Sequence, residues 1–319
     1  ETLRSALAEL FGPVEGLRRL SGGASQETWA FEAGGLALIL RRRPDGVVRA
    51  PDGRSPGLYA EAAVIRAAAA RTALVPEIVH VCQPEDGIGE AYVMVRVEGE
   101  TLGRRIVRDE AFAAVRPRLA GQCGAVLAAI HGAAAPPETT LATSDAQGEL
   151  DRYETIYRES GAERPVLELA FRWLRERLPP PVPPRLVHGD FRNGNIMFHP
   201  EQGVAAVLDW ELTHLGDPAE DLGWICTASW RFGGYDRPVG GFGDYADLLD
   251  GYAAAGGGEI PLPRVQFWEA LGSLKWGVMC LLMYLSFASG ADRSVERPMI
   301  GRRVSETEID LLNLLERAA

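Results

Sequence analysis

Between Arg185 and Glu211 the chain reads RLVHGDFRNGNIMFHPEQGVAAVLDWE, and three side chains in this stretch, Asp190, Asn195 and Asp209, are of the types that act together on a magnesium nucleotide. Leu186-Val187 is an apolar run feeding a polar turn at His188, and Asn195 opens a second run, Ile196-Met197-Phe198. After the turn Glu201-Gln202-Gly203, Val204 to Leu208 delivers Asp209 at the end of a third apolar segment. All three side chains therefore fall at strand or loop edges. Phosphoryl transfer asks a protein for a carboxylate that orients the attacking hydroxyl and takes its proton, and for oxygen ligands that hold magnesium on the phosphates. Asp190 suits the first task; Asn195 and Asp209 suit the second. Singly, each would be read as a turn residue bonding its own backbone. Jointly, the step from Asp190 to Asn195 is that of the kinase catalytic loop, H-x-D-x-x-x-x-N. Asp217, before Pro218, reads as a turn former, and Asp221 as an acid in the first turn of a helix, both with structural roles.

In HGDFRNGN and LDWE the chain resembles the aminoglycoside phosphotransferase and choline kinase-like family, whose motifs are HGDxxxxN and a hydrophobic residue before DWE. HGDFRNGN, LDWELTHLGDPAEDLGW and an arginine-rich strand upstream are most similar to the kinase-like domains fused to, or standing beside, acyl-CoA dehydrogenases. The resemblance runs over nearly the whole chain, with its specific part around the two motifs. It implies an α+β, two-lobed protein kinase-like fold. Residues 1–98 would form a small antiparallel β-sheet lobe that binds nucleotide, residues 99–319 a larger, mainly helical lobe for catalysis and acceptor binding, with ATP and magnesium between them.

The elements upstream must position that nucleotide. Thr2 to Phe11 has helical spacing, stopped by Gly12-Pro13. Strand-like runs Val14 to Leu20 and Gln26 to Glu32 flank Ser21-Gly22-Gly23-Ala24-Ser25, where Gly22, Gly23 and Ser25 are candidates to lay backbone N–H groups over phosphates. A plain hairpin turn is the competing reading, since no GxGxxG is present. Leu36 to Leu40 ends on Arg41-Arg42-Arg43. Kinase-like folds carry a lysine on this strand, contacting phosphates and paired to a glutamate of the next helix. The aligned residue here is Arg41, with Glu61 in the helical segment Leu58 to Arg71 as its partner. That is a departure, because a planar guanidinium fork is not an ammonium point charge. Lys275 is the chain's only lysine, so arginine in general replaces it. Strand alternation puts Arg42 on the face opposite Arg41. Pro44 to Gly57, with Arg49 and Arg54, reads as a solvated loop or as a flap over an anion. Ile78 to Val81 and Ala91 to Val97 complete the strands; the resemblance implies that Met94, Val95 and Val97 form the hinge whose backbone meets adenine. The lobe boundary falls near Gly99.

Helical periods follow at Ala111 to Ile130, Gln147 to Glu159, Pro165 to Leu178, Ala219 to Ala228, Tyr245 to Ala255, Pro263 to Leu285 and Ser305 to Glu316. Residues 241–246 fit GxGxxA, but no strand precedes them and no βαβ unit surrounds them, so a dinucleotide site is set aside. No Walker A motif is present, which removes the P-loop kinases. LDWE runs directly into GDPAEDLGW, leaving no activation segment, which argues against a protein kinase.

An apolar share of 46% supports a large core, and a net charge of −11 argues against nucleic acid or an anionic membrane as partner. Cys82, Cys123, Cys226 and Cys280 form no CxxC pair and sit among apolar residues, so buried free thiols are expected, with neither disulfide nor zinc. Of the five histidines only His188 lies in a motif. No secretory segment and no apolar run long enough to span a bilayer is read, Val278 to Ala288 being the richest; a soluble, cytoplasmic protein is expected. The expected activity is ATP- and magnesium-dependent transfer of the γ-phosphate to a small-molecule hydroxyl. The resemblance and the locally basic segment Arg297 to Arg303 favour a hydroxy acid or hydroxyacyl-CoA. Asp236, Asp244, Asp247 and Asp250 form an acidic face that suits an aminoglycoside or amino-alcohol instead, and Arg41 with the weak glycine loop suits a nucleotide-binding pseudokinase.

Overall fold

The computed structural model describes residues 2–20, 26–44 and 55–317. Helix α1 (Thr2–Phe11) precedes strands β1 (Glu15–Arg19), β2 (Glu27–Ala33) and β3 (Leu36–Arg42), helix α2 (Leu58–Ala69), and strands β4 (Ile78–Val81) and β5 (Ala91–Val95). The strands form one antiparallel sheet in the order β1-β2-β3-β5-β4. Alternation gives this sheet two apolar faces. Ala30, Ile39, Tyr92 and Met94 pack with Leu58, Ala62 and Ile65 of α2, while Phe31, Leu38, Leu40 and Val93 pack with Leu7 of α1. Burial on both sides is why β3 reads as an unbroken apolar run before its arginines.

The chain leaves the sheet through Gly99. A Cβ there would lie 2.5 Å from Met197 Cγ and 2.9 Å from Phe198 O, so only glycine lets Glu100 close on Phe198 with two backbone hydrogen bonds of 2.8 and 2.9 Å. The helical lobe then contains α3 (Gly103–Arg108), α4 (Leu119–His131), α5 (Ala146–Glu159), α6 (Pro165–Arg175), β6 (Arg185–Val187), β7 (Ile196–His199), β8 (Gly203–Val207), β9 (His214–Gly216), α7 (Ala219–Cys226), α8 (Tyr245–Ala254), α9 (Leu262–Ala288), α10 (Glu296–Gly301) and α11 (Val304–Arg317). β6 pairs with β9 and β7 with β8, both antiparallel. The first pair supports the stretch entering the motif; the second is the hairpin between Asn195 and Asp209.

Some boundaries depart from the sequence reading. The helix expected from Ala111 starts at Leu119, after 3-10 turns at Glu110–Phe112 and Arg116–Arg118, because Pro117 has no N–H to continue the ladder. The fifth strand stops at Val95. β9, α3 and α10 are too short for periodicity to reveal. The larger correction concerns α9, a single helix of 27 residues, long and apolar enough by length and composition to cross a membrane. The apolar run Val278 to Ala288 is only its C-terminal part. Its buried face carries Glu269, Ser273 and Lys275 among apolar residues, and it packs against α5, α6, α7, α10 and α11, so in this fold it is a core helix.

α4 and α8 are in backbone contact. A Cβ on Gly124 would sit 2.1 Å from Leu248 O, and one on Gly251 would sit 2.2 Å from Gly121 O. In an isolated helix Gly→Ala gains about 1 kcal/mol. Gly124→Ala is instead expected to cost roughly 1–3 kcal/mol through overpacking, read as a lower urea midpoint at unchanged slope. A stabilised variant would contradict this close approach.

Candidate active site

β6 delivers the chain to the turn at His188, and Gly189 there takes φ +81° with its missing Cβ only 2.3 Å from Leu212 O. A side chain would be strained and would collide, which accounts for the glycine of HGD. The N–H groups of His188 and Gly189 donate to Asp221 Oδ2 and Oδ1 at 2.7 and 2.9 Å. Asp221 is fully buried in the first turn of α7, and His131 Nε2 lies 3.0 Å from its Oδ2. Burial opposes its charge, yet His131 and the loop N–H groups hold its carboxyl below the usual range. His131 Nδ1 is in turn 3.0 Å from the Tyr252 hydroxyl.

The catalytic-loop side chains converge as their spacing suggested. Asp190 Oδ1 accepts from Trp224 Nε1 at 2.6 Å and Arg192 Nε at 3.0 Å, and its Oδ2 accepts from Asn195 Nδ2 at 2.6 Å. With its amide nitrogen committed to Asp190, Asn195 keeps its Oδ1 as an acceptor on the other side. Leu208 N donates to Asn195 O at 2.7 Å, and His188 Nε2 lies 2.9 Å from Leu208 O, so the end of β8 is tied to both motif ends. Asp209 follows at φ 63°, one of two non-glycine residues at positive φ among those described. Such strained positions concentrate at functional sites.

Across from the loop, Arg41 reaches out of β3. Its Nη2 donates to Asp209 Oδ1 at 2.9 Å, linking the sheet to the end of β8. Its Nε and Nη2 also donate to Gln26 Oε1 at 3.0 and 2.6 Å. Glu61 is wholly buried on α2 and stays 4.0 Å from Arg41 Nη2, accepting instead from Gln26 Nε2 at 2.9 Å and from the Tyr92 hydroxyl at 3.4 Å. Burial pushes the Glu61 carboxyl up to about 7 against the opposing pull of Arg41 and Gln26. Arg42, on the opposite face as alternation requires, pairs with Glu27 at 2.6 Å.

The sequence pattern of the phosphotransferase enzyme family matches residues 16–258. The chain belongs to that family. Among curated relatives, acyl-CoA dehydrogenase family member 11 of Gallus gallus is 28% identical over 324 residues, 92% of this chain. The chain spans two fifths or less of the length of such relatives, 40% in this case. Among solved structures, a Ralstonia eutropha protein named as an aminoglycoside phosphotransferase superposes with a TM-score of 0.76 at 23% identity, covering 99% of this chain and 98% of that one. An aminoglycoside phosphotransferase solved with AMP-PNP and hygromycin B gives 0.64 at 17% identity, covering 98% and 99%. These similarities carry the two-lobed, kinase-like fold.

Within this phosphotransferase-family site, Met94 and Val95 lie in β5, paired with β3, and Val97 follows the strand end. Gly22, Gly23 and Ser25, like Arg49 and Arg54, lie outside the described residues. Sequence reasoning missed Gln26, Tyr92, Arg192, Trp224 and His131 as site residues. Arg192 and Trp224 stand inside the quoted motifs and were findable there; the other three are joined to the site only by the fold. Several of the charges read from the sequence have partners in the fold. Arg303 and Arg302 lie 3.0 and 3.9 Å from Glu306 and Arg297 lies 2.6 Å from Asp292, so the basic segment is neutralised by near neighbours. Asp244 is paired likewise with Arg237 at 2.5 Å. His80, Cys82 and Asp86 come within 4.8 Å of one another on β4 and its turn, a grouping that the CxxC search did not anticipate; the His80–Asp86 contact of 2.7 Å braces that turn.

The elevated Glu61 carboxyl sets a pH dependence. Its folded form holds a proton up to about pH 7, whereas the unfolded chain releases it near 4.5. The associated stability is therefore complete below pH 4.5 and is lost as pH rises through 7. Relative to Glu61→Gln, the nucleotide-free parent is expected to lose up to about 3 kcal/mol between pH 5 and 8, measured by denaturant unfolding at each pH. Parallel stability curves would show that Glu61 titrates normally.

Proposed function

We propose that this phosphotransferase-family chain transfers the γ-phosphate of ATP to a hydroxyl of a small molecule. The observation that carries the reading is the Asp190 carboxylate, fixed by three donors beside Asn195 and the strained Asp209. The acceptor hydroxyl hydrogen-bonds to Asp190, and its oxygen bonds to the γ-phosphorus as the bond from phosphorus to the β,γ-bridging oxygen breaks. The proton passes to Asp190, and ADP leaves with the bonding pair. Asn195 Oδ1 and the Asp209 carboxylate are hard oxygen donors on one edge, which fits magnesium. When bound, magnesium offsets the charge on the phosphates. Arg41 contacts the phosphates from β3. The N-terminal lobe, residues 1–98, takes the nucleotide, with Gly22, Gly23 and Ser25 as phosphate contacts and Met94 to Val97 against the adenine. Residues 99–319 take the acceptor. The neighbour solved with AMP-PNP supports a nucleotide in this fold.

For the acceptor we favour a hydroxy acid or hydroxyacyl thioester over a polycation. Trp224, which donates to Asp190, begins a wall of rings packed edge-to-face and tilted, with Trp230 at 5.3 Å and Trp276 a further 5.0 Å on. Each ring already carries a cation of the protein: Lys275 Nζ 4.8 Å from Trp224, Arg192 Cζ 4.5 Å from Trp230 and Arg303 Cζ 5.8 Å from Trp276. An aromatic cage selects ammonium ligands when its faces are open. Here Lys275, Arg192 and Arg303 already occupy the rings, each also paired with a carboxylate of the chain, so an ammonium ligand meets cations where a cage would offer it open faces.

Two outcomes are expected. Asp190→Asn should bind magnesium nucleotide nearly as the parent does and lose roughly a hundredfold or more in turnover, whereas Asp209→Asn should lose the magnesium-dependent part of binding; equal binding loss in both would refute this division of roles. In a steady-state screen at matched concentrations, hydroxy acids or their coenzyme A esters should be phosphorylated in preference to aminoglycosides. Efficient aminoglycoside turnover alone would reverse the choice of acceptor.

A further inference from the structure

We propose that Gln26 is a positioning residue that makes arginine workable at position 41, bridging its guanidinium to the buried Glu61 and fixing it against Asp209. The inference rests on the reading of Arg41 as a phosphate contact. A lysine ammonium is a compact point charge that can sit directly on a carboxylate, whereas the guanidinium is a rigid planar fork whose orientation must be set from the side. Here the fork does not reach Glu61, which remains 4.0 Å away, beyond hydrogen-bond range. Gln26 fills the gap. Its Oε1 takes both Nε and Nη2 of Arg41, and its Nε2 donates to Glu61.

The assignment of oxygen and nitrogen is forced by the partners. Arginine offers only donors, so the amide oxygen must face it, and this turns the Nε2 donor towards the Glu61 carboxyl. Register explains how Gln26 comes to be there. Thr28 pairs with Arg41 across β2 and β3, and Gln26 lies two residues before Thr28, on the same face. Gln26 is only 9% exposed, so an aliphatic residue would leave buried groups of Arg41 and Glu61 unpaired. A carboxylate there would accept from Arg41 but face Glu61 with like charge. The glutamine amide accepts at one end and donates at the other, as the bridge requires.

The test is a double-mutant cycle on the full chain, using a fluorescent ATP analogue with magnesium. Gln26→Leu and Arg41→Ala are each expected to raise Kd by roughly fivefold or more, and the double variant to be no more than about twofold worse than Arg41→Ala alone. Effects that multiply, or a silent Gln26→Leu, would overturn the proposal. A second readout needs no nucleotide. Besides Gln26, the groups facing Glu61 are Arg41 on β3, Tyr92 on β5, and Asp209 and Glu211 after β8. Loss of the Gln26 donor should therefore move the pH-dependent stability loss of Glu61 to higher pH, and the shift should vanish in a Glu61→Gln background. An unmoved profile counts against the bridge. A parent that binds no nucleotide would defeat the functional reading while leaving this second readout intact. Should Gln26→Leu fail to fold, Gln26→Glu serves in its place. It should bind nucleotide more weakly than the parent at pH 8 and recover towards it at pH 6, where a proton shared by the two carboxyls restores the bridge; a gap from the parent that does not change with pH would overturn the proposal.

Discussion

The buried carboxylate of Asp221 is the contact on which the site depends. The turn at His188 and Gly189 lies inside the helical lobe, where its N–H groups find no strand partner, and buried backbone donors must be paired. Asp221 pairs both. A buried charge is costly unless it is hydrogen-bonded in turn, and His131, from α4, with Tyr252 of α8 behind it, provides that. Three helices thus converge on one polar turn. On α7 the residue one turn beyond Asp221 is Trp224, on the same helical face. Asp221 fixes the backbone of the loop, and Trp224 fixes the side chain of Asp190.

A second constraint runs between the lobes. Asp209 holds a backbone conformation that few side chains accept, and its neighbour Trp210 keeps it there. Trp210 is buried, bonds through its indole to Val207 O at 3.1 Å and packs against the His188 ring at 4.8 Å. The tryptophan of DWE is therefore a clamp on the turn, tying Asp209 to the same histidine whose N–H rests on Asp221. With the turn so held, the carboxylate meets Arg41 of the sheet, and the backbone bridge from Glu100 to Phe198 closes the lobes nearby.

The cations beside the tryptophan wall bear on chemistry as well as packing. Lys275, the chain's only lysine, is buried against Trp224 and lies 3.8 Å from Glu220. Arginine carries nearly all the positive charge of the chain, yet the one lysine lies one ring away from Asp190. Its position sets an ammonium, paired with Glu220, against the ring whose indole holds Asp190.

What the sequence determined by itself is the set of residues whose spacing is local. Asp190 to Asn195 lies within one loop, Asp209 ends the next hairpin, and Asp221 begins the helix after it, so short-range geometry joins them wherever the rest of the chain goes. The alternation of Arg41 and Arg42 is equally local, and it held. The tertiary structure decided everything that depends on meeting across long separations. Gln26 comes between Arg41 and Glu61 only because β2 pairs with β3 in one register while α2 packs on that face of the sheet. His131 reaches Asp221 only because α4 packs beside α7, and Tyr252 stands behind it because α4 and α8 approach to backbone contact. Charge runs misled because a sequence shows signs, not partners: Arg297, Arg302, Arg303 and Asp244 look like ligand-binding groups until the chain turns each towards a nearby opposite charge. The helix of α9 was legible from Pro263 to Leu285, but its place in the core was not, since polar residues that interrupt an apolar run in sequence are carried inside once partners such as Arg231, which donates to Glu269 at 2.6 Å, fold against them.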